Sequence, residues 1–230
     1  MFPPTPWTLI AAATLNGDSA SRQALEKMCA IYRPAVFDFL SRKLSGSPEA
    51  EDLTQEFFVH LLESRLWQRA DHEKGRFRNF LLGAVMRVVS NDWRQRSAQK
   101  RGSGANATSL EDLPEPAAPS VDDTLLFDRA WAQAMLDAAL IRIESEWTDP
   151  EEFAVLQRFL PGGEETPAYA QAAESMHCSL GAFKSKVLRL RQRYRECIES
   201  EIVRTVSRPE DVAAELAHLQ RVLMDPEHPL

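Results

Sequence analysis

Residues 74–101 carry eight basic side chains, Lys74, Arg76, Arg78, Arg87, Arg94, Arg96, Lys100 and Arg101, against one acid, Asp92. Phe77, Phe80 and Trp93 are interleaved with them. Aromatic rings stack on unpaired bases while guanidiniums hold the backbone beside them, so this mixture suits a nucleic-acid strand parted from its complement. Some of the rings must also serve a core; Phe80 is expected there, and Trp93 fits either role. A second run, residues 184–195, holds Lys184, Lys186, Arg189, Arg191, Arg193 and Arg195 with no acid. The net charge is −7, with +7 on the first run and +6 on the second, so the remaining residues carry −20. Two basic patches on an acidic body point to phosphate contact at two places.

A third cluster has the opposite sign. In the run from Glu49 to Phe58 and just beyond, helical spacing puts Asp52, Gln55, Glu56 and Val59 on one side and Leu53, Phe57 and Leu61 on another. An acidic stripe beside a buried apolar one suits either a basic partner surface or plain solvation. Catalytic chemistry is not in view: there is no Gly-rich phosphate loop, no HExxH and no Ser/His/Asp or Cys/His set at recognisable spacing. No enzyme activity and no cofactor are expected. Cys29, Cys178 and Cys197 are far apart and form no CxxC pair, and nothing completes a ligand set around His177 and Cys178. Neither a disulfide framework nor a metal site is expected. No apolar run approaches the roughly 20 residues that span a bilayer, and the start Met-Phe-Pro-Pro-Thr-Pro lacks the pattern of a signal peptide. A cytoplasmic protein without a membrane partner is the expectation.

The elements that must position these groups are helical; β-branched residues never alternate with polar ones over a convincing stretch. Leu25, Met28, Cys29, Tyr32, Val36, Phe39 and Leu40 recur at helical spacing after a cap near Asp18. Ser45-Gly46-Ser47-Pro48 ends that helix and starts the next, with Ser47 as the expected N-cap and Pro48 at the first helical position. That helix runs to about Leu66, a short loop follows, and a further helix is expected from Phe80 to Arg101. From Gly102 to Thr124, Gly, Ser, Ala and Pro predominate, with Glu111, Asp112, Glu115, Asp122, Asp123 and no base, the composition of a self-repelling linker. The fold class is therefore all-α: two small helical domains joined by a flexible acidic linker. The expected divisions are 1–101, the linker 102–124, a second domain 125–204, and a C-terminal extension 205–230 with Val212, Leu216, Leu219 and Leu223 on one apolar stripe.

The second domain reads as a helix-turn-helix: a two-turn helix after Thr166-Pro167, a tight turn at His177-Cys178, and a long basic helix opening at Ser179. Small Ala172 and Ala173 allow close packing of the two helices. Ser179 can cap the second, and Phe183, Val187 and Leu190 would face the core. Lys184, Lys186, Arg189, Arg191 and Arg193 then reach phosphates and base edges. Glycine usually stands where His177 is, because the turn calls for a conformation that costs other residues more.

The run Glu49-Ala50-Glu51-Asp52-Leu53-Thr54-Gln55-Glu56-Phe57-Phe58 closely resembles the polymerase-binding helix of the extracytoplasmic-function group of bacterial sigma factors. Lys74-Gly75-Arg76-Phe77-Arg78-Asn79-Phe80-Leu81-Leu82 resembles the loop and helix start at which these factors hold flipped promoter bases, and Phe80 to Arg101 looks like their −10 recognition helix. The GRFRNFLL run and the helix after Arg204 are similar to a divergent set of the group found in planctomycetes. The resemblance spans roughly residues 5–200. It implies a non-catalytic initiation factor whose partners are core RNA polymerase, through the β′ clamp and β flap, and promoter DNA, with room for an anti-sigma factor or another regulator. It assigns polymerase binding to Asp52, Leu53, Gln55, Glu56 and Val59. Contact with the −10 element falls to Lys74, Arg76, Phe77, Arg78, Asn79, Arg87, Trp93, Arg94 and Arg96. Contact with the −35 element falls to Ser179, Lys184, Ser185, Lys186, Arg189, Arg191 and Arg193. Many of these factors have Asn at the position of Arg87 and Asp at that of Asn91, which bears on base preference at the −10 element. Two other readings compete: a DNA-binding regulator that works through its helix-turn-helix without polymerase, and a helical adaptor that sequesters a partner.

Overall fold

The computed structural model describes residues 18–71, 76–100, 119–161, 168–206 and 208–224, and the regular structure among them is entirely helical. The helices are α1 (Asp18–Lys43), α2 (Glu49–Glu63), α3 (Phe77–Lys100), α4 (Val121–Glu146), α5 (Pro150–Leu156), α6 (Tyr169–Ser175), α7 (Leu180–Val203) and α8 (Val212–Leu223), with short 3-10 turns at Leu66–Arg69, Gln157–Phe159 and Pro209–Asp211. They divide into two compact units, one of Met1–Ala134 with Val203–Leu230 and the other of Met135–Ile202. This division differs from the expected one. The front of α4 and all of the C-terminal helix α8 belong to the first unit, and most of the linker lies outside the described residues.

In the first unit α1 buries Met28, Tyr32, Ala35, Val36, Phe39 and Leu40, one face at i, i+3 and i+4 spacing. The helix ends in two residues with left-handed backbone, Ser45 (φ 53°) and Gly46 (φ 76°), and the Gly46 N–H closes the turn on the Ser41 carbonyl at 2.7 Å. Ser47 serves the start of α2: its hydroxyl accepts from the Glu49 N–H at 3.4 Å and its carbonyl from the Ala50 N–H at 3.1 Å. α2 buries Ala50, Leu53, Thr54, Phe57, Phe58 and Leu61, the larger apolar members contributing roughly 1.5–3 kcal/mol each. The Thr54 hydroxyl donates to the Ala50 carbonyl, which satisfies a polar group inside that face.

α3 begins at Phe77, three residues before the expected start, because the Arg76 carbonyl already accepts from the Asn79 and Phe80 N–H groups. Phe77 is thereby drawn into the core, with its ring 5.3 Å from that of Tyr32. α4 also begins early, inside what composition reads as linker. Ser120 and Asp123 form a reciprocal cap: the Ser120 hydroxyl accepts from the Asp123 N–H at 3.0 Å, and the Asp123 carboxylate accepts from the Ser120 N–H at 3.3 Å. Burial raises the Asp123 pKa, but Lys43 and Ser120 outweigh it and hold the carboxyl below its ordinary value. From this start α4 places Phe127 edge-on to Phe39 at 5.4 Å and buries Trp131 completely.

α8 turns a different face inward from the expected stripe. Glu215, Leu219 and Val222 are buried, while Val212, Leu216 and Leu223 are half-buried. The rotation follows from Glu215, whose carboxylate is taken up by cations inside the unit.

The second unit is held by Ala139, Ile143, Phe153, Leu156, Phe159, Phe183, Val187 and Leu190, with Ala172 and Ala173 giving α6 its close approach. The rings of Phe159, Tyr169 and Phe183 meet edge to face at 4.8–5.7 Å. Asp149 caps α5 by accepting from the Glu151 and Glu152 N–H groups, with Pro150 at the first position. α6 passes to α7 through a turn in which His177 takes left-handed backbone (φ 50°) and the Cys178 N–H returns to the Ala173 carbonyl at 3.0 Å. Ser179 caps α7 by accepting from the Ala182 N–H at 3.2 Å. Thr166 and Pro167 lie outside the described residues.

Candidate functional site

On α2 the stripe opposite the core is open. Asp52, Gln55 and Glu56 are exposed and Val59 is 51% exposed, with Leu62 beside it at the surface. The Gln55 amide donates to Glu51 at 3.0 Å, and this bond, joined by the charge and hydrogen bond of Arg33, holds the Glu51 carboxyl below its ordinary value. Two apolar side chains amid acids and an amide suit either a basic partner surface or plain solvation. Leu53 does not belong to this stripe. Its side chain is in the core, so it anchors the helix and offers nothing to a polymerase surface.

The first basic region is arranged differently from the sequence expectation. Arg78 is not available to DNA: its side chain is 4% exposed, its Nε donates to Asp128 at 2.9 Å, and its NH1 is paired with Glu215. The guanidinium also lies over the Trp131 ring, 4.5 Å from the centroid. A buried arginine must be matched by buried carboxylates, and α4 and α8 supply one each. Phe77 is likewise removed from any base by its burial against Tyr32. Arg76 stands at the edge of the cluster, its Nε 2.8 Å from the other oxygen of Glu215 and its side chain 40% exposed. His218 of α8 lies 2.9 Å from Asp128. Burial would raise the Asp128 pKa, but the adjoining His218 and the Arg78 charge prevail and hold it below the ordinary value. Burial pushes the Tyr32 phenol up, with Arg78 opposing. Asn79 is exposed and Arg87 is half-buried with contacts of its own. Lys74 and the side chains of Trp93, Arg94 and Arg96 lie outside the described residues.

Sequence reasoning named neither Glu215 nor Asp128 nor Trp131 as partners of this region. A signal existed for the first: Glu215, Leu219 and Val222 are spaced i, i+4 and i+7, so a carboxylate sits on an otherwise apolar stripe.

In the second unit the six bases of α7 split by direction. Lys186 is paired with Glu152. Arg191 donates twice to the Phe159 carbonyl at 2.7 and 2.9 Å, and Arg193 is held by Glu146 and Glu196. Lys184, Arg189 and Arg195 are exposed, and no side-chain hydrogen bond or ion pair engages them among the described residues. Leu188 is exposed between them. Ser179 is spent as the cap and the Ser185 hydroxyl donates to the Gly181 carbonyl, although both remain at the surface. Arg195, absent from the expected contact set, shares the outward face with Lys184 and Leu188 by its spacing of 11 and 7 residues from them.

Among the described residues no group of three or more His, Cys, Asp or Glu is placed to hold a metal ion, and no helix is long and apolar enough to cross a membrane. Burial raises the thiol pKa of Cys29 to about 11 and pushes that of Cys197 up as well.

Residues 29–99 match the family described as Sigma-70 region 2. The match runs from α1 through α2 into α3, and so takes in both the open acidic face and the Arg76–Arg78 cluster. A Sigma-70 region 2 match over this segment supports a sigma-factor family. No curated protein and no solved structure matches the chain.

Proposed function

We propose that the chain is a sigma factor of the extracytoplasmic-function type, of the divergent planctomycete-like set, and that it brings core RNA polymerase to a two-part promoter. One observation carries the reading: the region 2 match falls on a helix whose solvent side is Asp52, Gln55, Glu56 and Val59. These residues dock on the polymerase clamp, with Val59 as the apolar centre of an acidic contact. The segment around Lys74, Arg76 and Asn79, together with Arg87, Trp93, Arg94 and Arg96 of α3, holds the parted −10 strand. α6, the turn at His177 and α7 act as a helix-turn-helix that lays Lys184, Ser185 and Arg189 in the major groove at the −35 element.

Run-off transcription with core RNA polymerase on a genomic promoter library tests this. Initiation that requires both chain and polymerase is expected, and Glu56→Lys should abolish core binding without unfolding the chain. Failure to initiate on every template would sink the proposal, and tight binding of the chain alone to duplex DNA would favour a regulator that works without polymerase.

A further inference from the structure

The Glu215 carboxylate is shared between two guanidiniums with different fates. One oxygen takes NH1 of Arg78, which is also fixed by Asp128 and Trp131 and closed to solvent. The other takes Arg76 at Nε, leaving two-fifths of that side chain open. A guanidinium gripped at Nε still presents its two terminal nitrogens, the pair that makes a two-point contact with phosphate. The contact closes a recess lined by Tyr32, Phe77, Trp131 and Thr205 together with the two arginines, so it rests on a packed wall. A free arginine on a loop must lose most of its rotamer freedom when it binds; one already held at Nε has less to lose.

We propose that α8 is a working part of the strand-holding surface, and that Glu215 is a positioning residue that directs Arg76 onto a phosphate of the promoter strand. The inference rests on the reading of the segment around Arg76 as the −10 contact. The rival idea is that α8 is a lid whose Glu215 stands in for phosphate and must leave before DNA can bind. The geometry speaks against it. Removing α8 would strand Arg78 and Asp128 in the interior with half their partners gone and would uncover the buried faces of Leu219 and Val222. Among the described residues of the cluster, the edge held by Arg76 is the one placed to meet a ligand with α8 in place.

The test uses the full chain with core RNA polymerase on a linear template from which the wild-type chain initiates, with open-complex lifetime measured against salt concentration. Arg76→Ala should shorten the lifetime about tenfold and lower the salt slope by about one. Glu215→Gln should reproduce both changes, the double variant should be no worse than either single one, and Glu215→Asp should recover most of the loss. If Glu215→Gln fails to fold, Arg76→Lys decides: lysine keeps the charge but lacks the Nε grip, so it should behave like Arg76→Ala. Overturning outcomes are a longer lifetime in Glu215→Gln, additive losses in the double variant, an unchanged salt slope beside a lowered melting temperature, or wild-type behaviour from Arg76→Lys. If the wild-type chain initiates on no template, the sigma-factor reading falls and takes this role with it.

Discussion

The two basic regions have similar charge in the sequence, and their described bases are engaged by different partners in the structure. In the first, Arg78 is turned inward and neutralised by Asp128 and Glu215, and Arg76 is half-committed to the same carboxylate. In the second, Lys186, Arg191 and Arg193 are tied to Glu152, the Phe159 carbonyl and Glu146, while Lys184, Arg189 and Arg195 face solvent without such a tie. A charge run is therefore a stock of cations, part of which holds the fold and part of which stays open to solvent. Which part a residue joins depends on whether a carboxylate or carbonyl is waiting for it inside.

The strongest way to break this contrast is Arg78→Ala. It should cost about 3–5 kcal/mol, because it leaves Asp128 buried without its arginine and Glu215 with Arg76 alone; urea unfolding followed by circular dichroism measures it. Loss of under 1 kcal/mol would return Arg78 to the list of surface cations. Acid should act on the same cluster. Asp128 has a folded pKa below its ordinary value of 3.8, so its stabilising effect is fully present above that value and is lost as pH falls through the depressed one. The melting temperature should drop progressively as pH falls below that ordinary value, and Asp128→Asn should flatten that limb while lowering the plateau. Smaller again is Ser120→Ala, which removes half of the cap on α4 and should cost about 1 kcal/mol in the same unfolding assay. Arg189→Ala sharpens the other side of the comparison. It should change stability by no more than about 0.5 kcal/mol, yet lower the salt slope of holoenzyme binding to duplex promoter DNA by about one.

What could be read in advance was whatever local spacing encodes. The buried and open sides of α2 follow from a 3.6-residue period, and so do the inward positions Phe183, Val187 and Leu190 of α7. The cap at Ser179 and the strained turn at His177 were legible for the same reason, since each depends on residues a few positions apart. The fate of Arg78 was not, because its partners lie 50 and 137 residues away and no periodicity links them. Leu53 illustrates a different failure: a residue carried over with a motif was assigned to the partner surface although its own spacing placed it with Phe57 and Leu61. Asp123 was read as linker acidity because composition is blind to direction, whereas three residues after a serine it is half of a cap.

The place of α8 in the first unit also bears on how the chain is made. A ribosome delivers residues in order, and units tend to fold as their last piece emerges. Here Asp128 arrives 50 residues after Arg78, and Glu215 arrives 137 residues after it, once all of Met135–Ile202 has been made. Through that interval Arg78 has at best one of its two carboxylates, and the faces later covered by Leu219 and Val222 are bare. The half that is begun first is therefore finished last, and its nascent form is a more highly charged and less protected object than the mature one.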